Sequence, residues 1–95
     1  MLTPQQAAEA AMNYLLSLSP QLLGGRDEPR LEEISNEDNG KWHVVLSYMA
    51  RPNEDSVRDV ENKFAKSLMR YRLFKEFVVD AKSGNVLRMK NPADA

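Results

Sequence analysis

The chain has no cysteine and only one histidine. The first absence excludes a disulfide framework, thiolate catalysis and cysteine-ligated zinc. The second excludes HExxH and other two-histidine metal motifs. A charge excess of either sign is also missing, since 13 Lys+Arg stand against 14 Asp+Glu and the pI is near 5.8. That balance gives the whole chain no drive toward DNA, RNA or an anionic membrane. No run of about 18 apolar residues occurs, so no membrane span is expected. The opening Met1-Leu2-Thr3-Pro4-Gln5-Gln6 carries no basic region, and Glu9 and Asn13 break the apolar stretch behind it. The default expectation is a cytoplasmic protein, although a secreted form with its leader removed would read the same.

What is present is ordinary for a folded chain: 95 residues, 42% hydrophobic and 28% charged. One domain over residues 1–95 is expected. At this size roughly 65% of the unfolded surface becomes buried, enough for one core without a staple. A deep enclosed cavity would consume much of that packing, so no cofactor is expected.

Thr3-Pro4 reads as a helix start. Thr3 can cap, Pro4 suits the first helical position, and Gln6 completes a Thr-x-x-Gln capping box. Ala7, Ala8, Ala11, Met12, Leu15 and Leu16 then form one apolar stripe over about four turns. Pro20 ends the helix by excluding Ser19 from helical geometry. Residues 21–29 read as a loop, with Gly24-Gly25 and Pro29, and with Leu22 and Leu23 tucked onto the core. Residues 30–35 form a short strand in which Leu31 and Ile34 break alternation, which a bulge or an edge position explains. Residues 36–40 form a turn closed by Gly40. Residues 41–49 form the clearest strand, with Trp42, Val44, Leu46 and Tyr48 on one face and His43, Val45, Ser47 and Met49 on the other.

Residues 50–56 read as a loop. Residues 57–69 fit a short helix or an irregular excursion, since Val57, Val60, Phe64 and Leu68 keep helical spacing while three of them share a strand face. Residues 71–81 form a second long strand rich in aromatic and β-branched residues. Lys82-Ser83-Gly84-Asn85 is a hairpin turn with Gly84 in the left-handed position. Residues 86–90 return as a strand, and 91–95 are a tail. Consecutive hairpins with a segregated helix predict an α+β fold, in which the N-terminal helix packs on a four-stranded antiparallel sheet.

The Ala-rich opening (Ala7-Ala8-Glu9-Ala10-Ala11), the acidic Asn/Gly turn before a Trp-containing strand, and the closing Phe77-Val78-Val79-Asp80-Ala81-Lys82-Ser83-Gly84-Asn85-Val86-Leu87 resemble PepSY-like domains. The likeness covers about 55 to 60 residues, given the usual lengths of such segments. It implies a helix on an antiparallel sheet and a non-catalytic module that binds protein or inhibits a peptidase. Residues 50–70 are an insertion relative to that pattern. No inhibitory residue carries over.

Each candidate chemistry meets a plainer reading. His43 would need an orienting partner and a nucleophile to act as a base, and neither stands near it in sequence, so an ordinary strand histidine is preferred. The Asp/Asn/Gly turns at 36–40 and 80–85 lack the oxygen count and the bidentate Glu of a calcium loop. Gly24-Gly25 is not followed by Lys-Ser/Thr, so it is a connector and not a phosphate loop. No Gly-x-Ser-x-Gly elbow exists. Glu32-Glu33 and Glu37-Asp38 sit on an exposed strand and turn, not across a cleft. An enzyme is not expected.

Charge is unevenly placed. Residues 1–50 hold three basic and seven acidic groups, and residues 51–95 hold ten and seven. Lys63, Lys66, Arg70, Arg72 and Lys75 gather around Phe64, Tyr71, Phe74 and Phe77. Basic residues between aromatics can hold single-stranded nucleic acid, which the acidic pI disfavours. The same residue types suit a protein partner or self-association. The sheet face away from the helix is expected to expose either Phe74 and Val78 or Leu73 and Val79, and such apolar faces mark contact surfaces. A protein-binding or regulatory module is therefore expected, with Lys63, Lys66, Arg70, Tyr71, Arg72, Phe74 and Lys75 as its contact residues. A nucleic-acid-associated protein using the basic 63–75 segment is the alternative.

Overall fold

A computed structural model describes residues 1–25, 27–36, 40–50 and 71–92. The chain forms an α+β fold, with an N-terminal helix on one side of a four-stranded antiparallel sheet. Helix α1 spans Pro4–Ser17 and the short helix α2 spans Pro20–Leu23. The strands are β1 (Asp27–Ser35), β2 (Lys41–Ala50), β3 (Tyr71–Asp80) and β4 (Val86–Lys90), in the spatial order β1-β2-β3-β4. The expected short helix or irregular excursion at 57–69 and the insertion at 50–70 lie outside the described residues, apart from Ala50, which belongs to β2.

The start of α1 forms as its sequence requires. Thr3 Oγ1 accepts from the Gln6 amide at 3.2 Å, and Gln6 Oε1 accepts from the Thr3 amide at 2.9 Å. Two otherwise orphaned amides are satisfied at once. Ala7, Ala11 and Leu15 are fully buried, four residues apart on one stripe. The alanines bring the helix axis close to the sheet, and Leu15 fills the wider gap beyond them. Leu16 leaves the predicted stripe and is 45% exposed, because its position points nearly opposite the Ala7–Ala11 line. Leu2, just before the helix, ties it to the sheet. Its amide donates to Ala81 O at 2.7 Å, and its carbonyl accepts from Trp42 Nε1 at 3.3 Å.

The predicted loop at 21–29 is shorter than expected. Its start is α2, stabilised by Ser19 Oγ accepting from the Gln21 amide at 3.2 Å. Its end is already strand, since β1 begins at Asp27 and includes Pro29. Pro29 is tolerated because it falls in the gap between the paired residues Asp27 and Arg30, where no ladder bond needs its missing N–H. Leu23 is buried and closes over Tyr48, whose hydroxyl donates to Leu23 O at 3.0 Å. Leu22 points outward and is not part of the core.

Strand β1 is both bulged and at the sheet edge. Leu31 pairs with Leu46 and Glu33 with Val45, so Glu32 is the extra residue. The bulge returns both Leu31 and Ile34 to the helix side, which accounts for their broken alternation. The core lies between α1 and the faces of β2 and β3. Val44, Leu46, Tyr48 and Ala50 meet Phe77 and Val79, with Leu73 and Val86 packed at the margin. The Tyr14 ring meets Phe77 edge-on at 6.0 Å. Each large side chain buried this completely contributes about 1.5–3 kcal/mol before entropy is counted. Burial pushes the Tyr48 phenol up from its ordinary pKa, with a smaller push from Tyr71. Strand β3 stops at Asp80, one residue earlier than predicted. Asp80 Oδ1 accepts from the Lys82 amide at 2.8 Å, and the strand turns there. Gly84 takes the expected left-handed backbone at φ +78°.

Candidate functional site

The side of the sheet away from α1 is defined by register. His43 pairs with Val78, Val45 with Glu76, Ser47 with Phe74 and Met49 with Arg72. On the outer strands, Arg88 joins Val78 and Lys90 joins Glu76, while Arg30 joins Ser47 and Glu33 joins Val45. Paired residues share a face, so these side chains form one surface. Of the two expected exposures, the first is the relevant one, because Leu73 and Val79 lie on the helix side. Only half of it holds. Phe74 is 43% exposed, whereas Val78 is 2% exposed and joins Val45 and Ser47 among the buried residues.

The polar groups on this face pair with one another. Ser47, fully buried, donates its hydroxyl to Glu32 Oε1 at 2.8 Å and accepts from Arg72 Nη1 at 2.9 Å. Arg72 also donates to Glu28 O at 3.1 Å and lies 3.6 Å from the Glu28 carboxylate. Arg30 pairs with Glu32 from two residues away. The outcome is a charged row that crosses β1, β2 and β3. Glu32 is held below its ordinary pKa, first by the Arg30 hydrogen bond and then by Ser47.

A second row crosses β2, β3 and β4. His43 Nδ1 lies 3.2 Å from Glu76 Oε2, and Lys90 Nζ lies 3.2 Å from the same oxygen. A carboxylate can only accept, so Nδ1 carries the proton in this contact. Burial raises the Glu76 pKa, but the hydrogen bonds from His43 and Lys90 outweigh it and leave the group below its ordinary value. His43 therefore has the orienting partner that its sequence neighbourhood lacks. The partner is 33 residues away and became visible only through the β2–β3 register. Among the described residues, no cluster of His, Cys, Asp and Glu is placed to hold a metal ion.

The expected contact residues that are described do not all share one face. Arg72 and Phe74 lie on the face just described. Tyr71 pairs with Ala50 and Lys75 with Leu46, which puts both on the helix side. Lys75 Nζ donates to Asn91 Oδ1 at 2.6 Å, so it braces the segment after β4. Lys63, Lys66 and Arg70 lie outside the described residues. Phe77, one of the aromatics in the proposed basic cluster, is fully buried core.

No helix among the described residues is long and apolar enough to cross a membrane. No family model, curated protein or solved structure gives a significant match to the chain.

Proposed function

We propose that this is a protein-binding module whose contact surface is the end of the sheet face opposite α1 around Phe74, which stays exposed where Val45, Ser47 and Val78 on the same face are buried. One observation carries the reading. Phe74 is a large aromatic left 43% exposed just beyond the last β3–β4 pair, Glu76–Lys90, on a face where Val45, Ser47 and Val78 are buried. Its charged neighbours are already paired, so they can exclude water around a docked partner without stranding a bare charge. An exposed aromatic within a ring of satisfied polar groups is the usual form of an interface hot spot.

Among the described cations of the basic segment, the nucleic-acid alternative is less well served. Arg72 is 18% exposed and committed to Glu28 and Ser47, and Lys75 is committed to Asn91 on the other side of the sheet. Phosphate contact needs cations free to reach a backbone that runs along one face.

The test places a photoreactive side chain on the anchor, Phe74→p-benzoylphenylalanine, in the native cell, with the same group at Tyr14 as a helix-side control. A discrete adduct from position 74 that position 14 does not give supports the reading. An adduct of twice the chain mass identifies a second copy as the partner. No adduct, or the same adducts from both positions, removes the face as a contact surface.

A further inference from the structure

The two edges of the sheet are built differently. Strand β1 is closed to further pairing. It contains Pro29, holds Glu28 at φ 51°, and loses register twice, between Asp27 and Arg30 and between Leu31 and Glu33. The proline and the two register shifts are recognised devices against strand addition. Strand β4 is terminal in the strand order, has no proline within Val86–Lys90, and shifts register once, at Leu87.

The side chains of β4 also divide by chemistry. Arg88 and Lys90 share the face opposite α1 with Val78 and Glu76, and Lys90 Nζ lies 3.2 Å from Glu76 Oε2, so Arg88 is the cation a partner would meet first. Met89 lies on the helix side opposite Phe77, whose ring meets Tyr14. Leu87, the bulged residue, is 51% exposed, Met89 36% and Tyr14 38%. The edge therefore offers cations on one side and Met89 on the other, with an outward row of backbone donors and acceptors between them.

We infer that β4 is a docking edge for an extended segment of a partner protein in which acidic and apolar residues alternate. Such a segment would add a fifth strand. Its backbone would pair with β4, its acidic side chains would fall beside Arg88 and Lys90, and an apolar one would cover Met89. Charge complementarity selects this occupant over a second copy. A second β4 would bring two further cations, and a second β1 is closed by its proline and bulges. The inference concerns a different surface from the Phe74 face and does not depend on it.

The test titrates the isotope-labelled full chain with three capped synthetic peptides, followed by amide shifts and hydrogen exchange. The first is Glu-Val-Glu-Leu-Glu-Val, the second holds the same residues as Glu-Glu-Glu-Val-Leu-Val, and the third replaces each Glu by Lys. The alternating acidic peptide is expected to shift and protect amides of Val86–Lys90. The other two are expected to bind at least roughly tenfold more weakly, the scale of two cross-strand charge pairs and a lost register. The surface double variant Arg88→Glu/Lys90→Glu should reverse the preference in favour of the Lys peptide. A Phe74→Thr chain should bind the first peptide unchanged, which separates this result from the fate of the Phe74 face. Three outcomes overturn the inference: no perturbation at millimolar peptide, equal binding of all three peptides, or protection at β1 instead. So does concentration-dependent protection of β4 without peptide, which would make a second copy the occupant.

Discussion

Arg72 on β3 donates a 2.9 Å hydrogen bond to the hydroxyl of Ser47 on β2, and that hydroxyl is fully buried. Ser47 passes the contact on to Glu32 on β1, 2.8 Å away. One serine thus joins three strands on the face that α1 does not cover. Removing its oxygen breaks the guanidinium bond and the carboxylate bond together. Ser47→Ala should cost about 1–3 kcal/mol in urea unfolding, the cost of leaving buried polar partners unmade. Paired with Arg72→Ala in a double-mutant cycle, the two losses should add to less than their sum, because both report one network.

Acid should weaken the fold. Glu32 is lowered by Arg30 and then Ser47, and Asp80 by the backbone amides of Lys82 and then Ser83. Glu76 is lowered by His43 and Lys90 against the opposing effect of burial. A carboxyl depressed in the folded state binds its proton less readily there than when unfolded. Its contribution is therefore complete above the unfolded pKa and lost as pH falls through the folded one. The urea midpoint should hold steady from pH 7 to about 5 and fall below about 4, where unfolded carboxylates begin to protonate. Asp80→Asn and Glu76→Gln together should flatten that decline.

The cap and the hairpin turn should respond to single changes. Thr3→Ala removes one half of a reciprocal capping box and should cost about 1 kcal/mol. At Gly84 an added Cβ would sit on a left-handed backbone and 3.4 Å from Leu2 Cδ1. Gly84→Ala should cost about 1–2 kcal/mol by the left-handed penalty alone. Thermal unfolding of both variants checks these values.

The core should show the usual truncation cost. Leu15→Ala leaves a hole under the only long helix among the described residues and should destabilise by about 2–5 kcal/mol. Leu16→Ala, one position along but exposed, should stay within about 0.5 kcal/mol. The contrast checks which face of α1 meets the sheet.

Much of this architecture was legible in the residues. The Thr3–Gln6 capping box, the alternation of Trp42 through Tyr48 and the Gly84 hairpin are local patterns, and local patterns fix local geometry. The broken alternation at Leu31 and Ile34 pointed to an edge or a bulge, and the strand has both. Pro29 was harder to place, because a proline reads as loop until the neighbouring strand leaves its N–H unneeded. Leu16 and Leu22 looked like core because hydrophobicity alone does not show which way a side chain points. The candidate site was only partly legible. Phe74 and Arg72 could be singled out, but period-two alternation assigns Tyr71 and Lys75 to the opposite face, and a cluster in sequence became two places in space. The His43–Glu76 and Ser47–Arg72 contacts join strands distant in the chain, so only register reveals them.

The most direct test of the account is the effect of Phe74→Thr on stability and on contact together. Threonine keeps strand preference while removing the ring. If Phe74 is a surface anchor, unfolding free energy should fall by no more than about 1 kcal/mol. The photo-adduct formed from a probe at Arg30, in the same cross-strand row through Ser47, should disappear. A loss of about 3 kcal/mol or more would mark Phe74 as a core ring. That loss, or an adduct unchanged by the substitution, would contradict the proposal that this face meets a partner.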